Sequence, residues 1–510
     1  MNGSPWLEQR CCGLLLHISS LPGRYGIGTL GSEAHRFLEQ LQRGKQGVWQ
    51  VLPLNPTTAV FGHSPYASSS AFAGNPLLID LESVQAETWC PDLGLAGLEV
   101  SAVGRVDFVA ALNCERKLDR ALSGFIAAAP ARERETFNAF CRDNADWLDD
   151  YALFCMFSRV FQTGHWLDWP RQIRLRERRA LEMARRENRN ELEGVAFRQF
   201  LFDRQWRELK ALAEGRDVRL IGDIPIYVNL DSADAWAHPE IFDLDPDTRQ
   251  PRVVAGVPPD YFSSDGQLWG NPLYNWFNGS SLNRAVLAWW EKRLRRMLDW
   301  FHLVRLDHFR AFAEFWAVAA DAQTARSGKW KPGPGLAFFQ AMSERLGPLP
   351  LIAEDLGEIT PDVEVLREKC QLPGMKILQF AFDGNPRNPH LPHNYASPEC
   401  VVYPGTHDNN TVNGWFYGPE LSDDARKRVL EYAAAADAHD MHRHIVRLAL
   451  QSVARLAVIP VQDVLGFGAD CRMNTPGRGE GNWGWQLKPG DLREDRLDWL
   501  ADLTRIYGRA

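Results

Sequence analysis

Apolar residues fall along this chain in two kinds of pattern. Short apolar runs bounded by turn residues recur at 13–18, 48–54, 218–224, 303–308, 349–354, 375–382, 400–406 and 456–464, and each reads as a strand. Elsewhere the apolar positions recur at three- and four-residue steps. The clearest case is 284–300, where Leu287, Trp290, Leu294, Met297 and Phe301 mark one face of a helix. Helices are also predicted over 32–43 and over 361–370, the latter with Thr360 as N-cap and Pro361 at the first helical position. Strands alternating with helices imply a parallel sheet, and eight strands are what a closed (β/α)8 TIM barrel requires.

Two stretches break the alternation. Residues 80–215 are rich in Arg, Glu, Ala and Leu and read as an inserted, mainly helical subdomain, with the charges between Arg174 and Arg189 on a solvated face. Residues 227–283 are crowded with Pro, Gly, Asp and aromatics, as in Gly256-Val257-Pro258-Pro259-Asp260-Tyr261-Phe262, and read as an inserted loop-rich subdomain that binds substrate. The expected organisation is one catalytic barrel domain over 1–510, with both insertions at its C-terminal face.

Composition narrows the partners. The 510 residues are 45% hydrophobic, enough for a large core, and 57 Lys and Arg against 65 Asp and Glu leave no electrostatic footprint for nucleic acid or an anionic membrane. No apolar stretch is long enough to cross a bilayer, and the start lacks a basic segment followed by an apolar one, so the expected location is cytoplasmic. Nine cysteines without a C-x-x-C spacing predict reduced, mostly buried thiols rather than disulfides or a zinc site. The 19 tryptophans exceed an ordinary share; many should pack the core and some should line a surface groove.

Gly26-Ile27-Gly28-Thr29-Leu30-Gly31 satisfies G-x-G-x-x-G ahead of a helix. Two observations count against a dinucleotide site. Residues 19–25 separate the strand from the first glycine, and no acid suited to a ribose lies between Glu33 and Asp80 except Glu39 inside the helix. A loop that lets a bulky ligand approach the backbone is the better expectation.

Three acids close three of the predicted strands: Asp307 in Arg305-Leu306-Asp307-His308-Phe309-Arg310, Glu354 in Ala353-Glu354-Asp355-Leu356-Gly357, and Asp408 in Gly405-Thr406-His407-Asp408-Asn409. In a parallel barrel the carboxyl ends of the strands share one face, so the three can converge. A lone Asp at a strand end is more often a helix cap or a loop ion pair, and their company is what favours chemistry. Arg305 lies two residues before Asp307, on the same face of an extended strand, where its guanidinium would keep the carboxylate ionised as a nucleophile needs. Glu354 follows apolar residues and neighbours Asp355, an environment that raises a carboxyl's pKa as a proton donor needs. His407 offers a donor beside Asp408, or is a packed core histidine. Retaining glycoside cleavage uses two carboxyls about 5 to 5.5 Å apart. Metal-dependent hydrolysis is the nearest competitor, but His17, His308 and His407 lack a dense ligand pattern.

The order of longer motifs resembles a known family. His17-Ile18-Ser19-Ser20-Leu21-Pro22-Gly23, Trp49-Gln50-Val51-Leu52-Pro53-Leu54, Ser64-Pro65-Tyr66, Gly222-Asp223-Ile224-Pro225-Ile226-Tyr227, Trp269-Gly270-Asn271-Pro272-Leu273-Tyr274 and Arg472-Met473-Asn474 follow one another as in the amylomaltases, or disproportionating enzymes. These are 4-alpha-glucanotransferases related to the alpha-amylases, and the resemblance covers nearly the whole chain. It implies Asp307 as nucleophile, Glu354 as acid/base and Asp408 as the acid that stabilises the transition state. It further implies Arg305, His407 and Asp223 as supporting residues, and Tyr66, Tyr261, Phe262, Trp269 and Asn271 as substrate-binding positions. No cofactor and no metal are implied. The implied partners are maltooligosaccharides, amylose or glycogen-derived glucans, with glucose as an acceptor, for a monomer or homodimer. Asn410, Leu306 and Ala311 depart from the family's usual residues, and the N-terminal extension of its longer members is not expected here. An amylase-like hydrolase would use the same acids, and a non-catalytic glucan-binding protein could dispense with them.

Overall fold

A computed structural model of the chain describes residues 9–100, 104–259 and 265–510. Eight strands run parallel: β1 (Cys11–Leu15), β2 (Val48–Gln50), β3 (Arg219–Ile224), β4 (Leu303–Leu306), β5 (Leu351–Ala353), β6 (Gly374–Ile377), β7 (Cys400–Tyr403) and β8 (Leu456–Pro460). Their order is β5-β4-β3-β2-β1-β8-β7-β6. The two ends meet where the Ala353 N–H donates to the Pro373 carbonyl at 2.9 Å, which closes the barrel. The (β/α)8 expectation therefore holds, strand for strand.

Several strands stop earlier than their apolar runs do. Ile18–Ser20 and Leu378–Phe380 turn into single 3-10 turns, and Val461–Leu465 into a short helix, although most of these residues stay buried. Burial alone makes such a run apolar, whichever way the backbone folds.

Between β2 and β3 the chain is helical, including Leu118–Ala128, Ala131–Asp143, Ala145–Val160 and Arg189–Glu214. The last of these helices lies against the barrel. Its Trp206 ring meets Phe301 at 5.2 Å and its Phe202 ring meets Trp300 at 5.4 Å, at the junction of helix Arg284–Trp300 with β4. A buried ion pair, Arg296 to Asp203 at 3.1 Å, joins the same two helices. Arg171, Arg178 and Arg186 face solvent as expected, whereas Arg176 is mostly covered and lies over the Trp236 ring. One contiguous apolar cluster runs from the barrel strands into these helices.

A four-stranded antiparallel sheet stands beside the barrel, in the order Lys329–Pro332, Glu314–Ala319, Val253–Val257, Gln267–Pro272. Two of its strands come from the stretch read as loop-rich. The other two come from the β4–β5 connection, outside the predicted strands.

The glycines of the G-x-G-x-x-G run serve internal packing rather than ligand approach. A Cβ on Gly28 would stand 2.1 Å from the Ile18 carbonyl oxygen, and one on Gly31 would stand 2.3 Å from the Asp80 carboxyl carbon. Most tryptophans are buried, and Trp269 is the exposed one among the described residues. All nine cysteines are free, four of them buried and five half-buried.

Candidate active site

Strand register builds the first part of the site. In the β3–β4 pairing Asp223 lies opposite Arg305, so both side chains point to the same side of the sheet. One guanidinium nitrogen, Arg305 Nη1, lies 2.9 and 2.8 Å from the two Asp223 carboxylate oxygens and 2.8 Å from Asp307 Oδ1. The two-residue spacing of Arg305 and Asp307 thus has the consequence read from sequence. The Tyr66 hydroxyl donates to Asp223 Oδ2 at 2.7 Å. Asp223 is fully buried; burial pushes its carboxyl up, opposed first by Arg305. Arg305, between two carboxylates, is held firmly charged despite its own burial.

Glu354 follows from the next register. Ile352 pairs with Arg305 and Ala353 with Leu306, so one further residue brings Glu354 level with Asp307. The Glu354 N–H donates to the Leu306 carbonyl at 3.1 Å, and the Phe309 N–H donates to the Glu354 carbonyl at 3.0 Å. His308 has a left-handed backbone, φ 52°, which sends its N–H to Glu354 Oε2 at 2.7 Å. Oε1 accepts from the Leu356 N–H at 3.0 Å. A left-handed histidine costs on the order of 1 kcal/mol, and here it ties the chain of one acid to the carboxyl of the other.

Burial pushes the Glu354 carboxyl well above the usual carboxylate range; Arg305 opposes this and Asp307 reinforces it. Asp355, expected to help, does not face Glu354. It accepts from the Met375 N–H at 2.7 Å and pairs with Arg367 at 3.1 Å, because consecutive residues point to opposite sides.

Asp408 comes from the loop after β7 and is more open, its side chain 42% exposed. His407 Nε2 lies 3.4 Å from Asp408 Oδ2, and the Asn474 side-chain amide donates to Oδ1 at 2.6 Å. The buried His407 ring stacks on Tyr66 at 5.2 Å, with Trp483 at 5.9 Å. Tyr66 therefore links Asp223 on one side of the mouth to His407 on the other. Beneath, Tyr403 donates to Gln50 Oε1 at 2.9 Å across the barrel interior.

Of the remaining sequence-predicted positions, Trp269 stands edge-on to His308 at 4.7 Å, so the antiparallel sheet overhangs the site. Asn271 spends its side-chain amide on the Val228 carbonyl at 2.9 Å. Tyr261 and Phe262 lie outside the described residues. Burial lowers His17 to about 3 and His308 to about 4, leaving both neutral near pH 7. Among the described residues no group of three or more His, Cys, Asp or Glu side chains has an arrangement that would hold a metal ion. Arg472 and Asn474 were visible in sequence only as part of a motif. Nothing in their separation from Asp408 signalled a contact.

A closed parallel barrel that sets Asp307 and Glu354 level with each other at the carboxyl ends of β4 and β5, with Asp408 in the loop after β7, fits an enzyme acting on glycosidic bonds. Comparison with known proteins gives the particular family. The sequence profile described as 4-alpha-glucanotransferase matches residues 16–492, and the chain belongs to that family. The 4-alpha-glucanotransferase of Synechocystis sp. is 45% identical over 99% of each chain. That of Thermus thermophilus is 47% identical over 97% of this chain and 99% of its own. Among solved structures, the amylomaltase from Streptococcus agalactiae in complex with acarbose superposes with a TM-score of 0.92 at 36% identity, over 98% of this chain and 100% of the other.

Proposed function

We propose that the protein transfers alpha-1,4-glucan segments from a donor maltooligosaccharide to the 4-hydroxyl of an acceptor glucan or glucose, by double displacement with retention. Family membership supports the transferase activity, and the shared register of Asp307 and Glu354 carries the mechanism. Asp307 attacks C1 of the donor while Glu354, protonated through its burial, gives its proton to the departing glycosidic oxygen. The glucan beyond the cut leaves, and a glycosyl ester on Asp307 remains. Glu354, now ionised, takes the proton from the acceptor 4-hydroxyl as that oxygen displaces Asp307. Asp408 faces the reacting sugar and supports its developing positive charge. Arg305 orients Asp307, and Asp223 with Tyr66 holds Arg305 in place.

Trp269 belongs to the glucan-binding face, and the exposed indole beside His308 favours this use of it; Tyr261 and Phe262 are assigned to substrate binding by the family resemblance alone. The hydrogen bond from Asn271 to the loop after β3 makes its contribution one of shaping that face. The barrel acts as one catalytic domain, with 80–215 and 227–283 as its insertions. Free thiols throughout favour a reducing, cytoplasmic setting.

The test is incubation of the purified protein with maltotriose. A ladder of longer maltodextrins together with glucose is expected, and shorter products alone would make the protein a hydrolase.

A further inference from the structure

Behind Asp408 lies a set of polar side chains that the three acids do not account for. Arg472 and Asn474, in the segment after β8, both reach back to the loop after β7. Arg472 donates from Nη2 to the Asp408 carbonyl at 2.7 Å and from Nε to the Asn474 carbonyl at 2.7 Å. The Asn474 N–H donates to the His407 carbonyl at 3.1 Å, and its side-chain amide is the group that holds Asp408 Oδ1. At the outer edge of the guanidinium, Nη1 faces Glu420 Oε1 at 3.4 Å, and the same oxygen accepts from Asn410 Nδ2 at 2.7 Å. The Arg472 side chain is 20% exposed and that of Glu420 43%, so the assembly runs from the protein surface to the acid.

Asp307 and Glu354 inherit their places from strand register, but Asp408 stands beyond the end of β7 and is half open to solvent. Its orientation depends on Asn474, and the Asn474 backbone depends on Arg472. We propose that Arg472, braced by Glu420 and Asn410, is a positioning residue for Asp408: it clamps the β8 segment onto the β7 loop and, through Asn474, aims the Asp408 carboxylate at the sugar. A planar guanidinium suits this task because it reaches two backbone carbonyls and a carboxylate at once, which an ammonium on a flexible stem does not. The inference rests on Asp408 being the acid that faces the sugar.

The experiment is a kinetic cycle on maltotriose disproportionation with Asp408→Asn, Arg472→Met and the double variant, each checked for an unaltered melting temperature. Arg472→Met is expected to lower kcat by about 100-fold, as a small misplacement of a reacting group does, with KM changed less than about threefold. Adding it to Asp408→Asn should cost almost nothing more, because the clamp has no other task. Arg472→Lys should fail to restore kcat. Wild-type kcat in Arg472→Met, or losses that multiply in the double variant, would overturn the clamp. Near-normal turnover by Asp408→Asn would instead overturn the assignment of Asp408 itself. If Arg472→Met does not fold, Glu420→Ala decides: it removes the carboxylate that braces the outer end of the clamp, and kcat should fall with KM held, whereas unchanged kcat would refute the inference.

Discussion

On the β3–β5 side of the barrel mouth, the charged groups sit on strands or one residue beyond them; on the β7–β8 side they sit in loops. Asp223, Arg305, Asp307 and Glu354 follow from parallel register, and all but Asp307 are buried. Asp408 is placed by side chains from Asn474 and Arg472, far away in sequence. The first arrangement is largely buried, which strengthens the Arg305 contacts and raises the Glu354 carboxyl well above the usual carboxylate range. The second is held by a few hydrogen bonds between loops. The groups proposed to make and break bonds thus lie on the strand-borne side, and the group proposed to support charge lies on the loop-borne one.

The largest losses are expected on the β3–β5 side. Asp307→Asn removes the nucleophile and should lower kcat by about four orders of magnitude or more, with the melting temperature little changed, as assayed by maltotriose turnover and thermal unfolding. Glu354→Gln should cost about 10² to 10⁴ in kcat on maltotriose. The loss should be much smaller for formation of the glycosyl enzyme from an alpha-maltosyl fluoride, whose leaving group needs no proton. In the unaltered protein, kcat/KM should fall as pH rises through the Glu354 pKa. That pKa lies above the usual carboxylate range, and the acid must be protonated to act.

A smaller loss is expected from Tyr66→Phe, at the residue that bridges the two sides. Loss of its bond to Asp223 leaves a buried carboxylate oxygen to Arg305 alone, and a roughly tenfold fall in kcat is expected, from about 1.5 kcal/mol.

The smallest effect on turnover is expected at Asp463, in the short helix after β8. Burial raises its carboxyl from 3.8 to about 7, while Oδ1 accepts from the Val412 N–H at 2.7 Å. Between those two values the unfolded chain has lost a proton that the folded chain keeps, so stability falls as pH rises through that window, by at most about 4 kcal/mol. Asp463→Asn keeps the acceptor and should remove this slope: the variant gains stability at pH 8 and none below pH 4, as read by thermal unfolding across pH.

The same contrast explains what was legible in the sequence. Strand-borne groups could be read, because an apolar run ending in an acid carries both the element and its register, and the Arg305–Asp307 spacing needs no tertiary knowledge. Strand ends were blurred at Val461 and Leu378, where burial keeps residues apolar after the backbone has turned. The pairing of Glu314–Ala319 with Val253–Val257 was missed, since both were short runs lying in what read as connections. The partners of Asp408 were illegible for a different reason: contacts between loops leave no periodicity. Asp355 misled because adjacency in sequence is opposition across a strand.

Asp307 is proposed as the nucleophile, with Glu354 as its acid partner. The most direct test is mass spectrometry of the peptides of Glu354→Gln after reaction with an alpha-maltosyl fluoride, which loads the enzyme without a proton donor and leaves no base to unload it. A single maltosyl ester on the peptide containing Asp307 is expected. An ester on Asp408 or elsewhere, or fluoride release with no adduct at all, would contradict it.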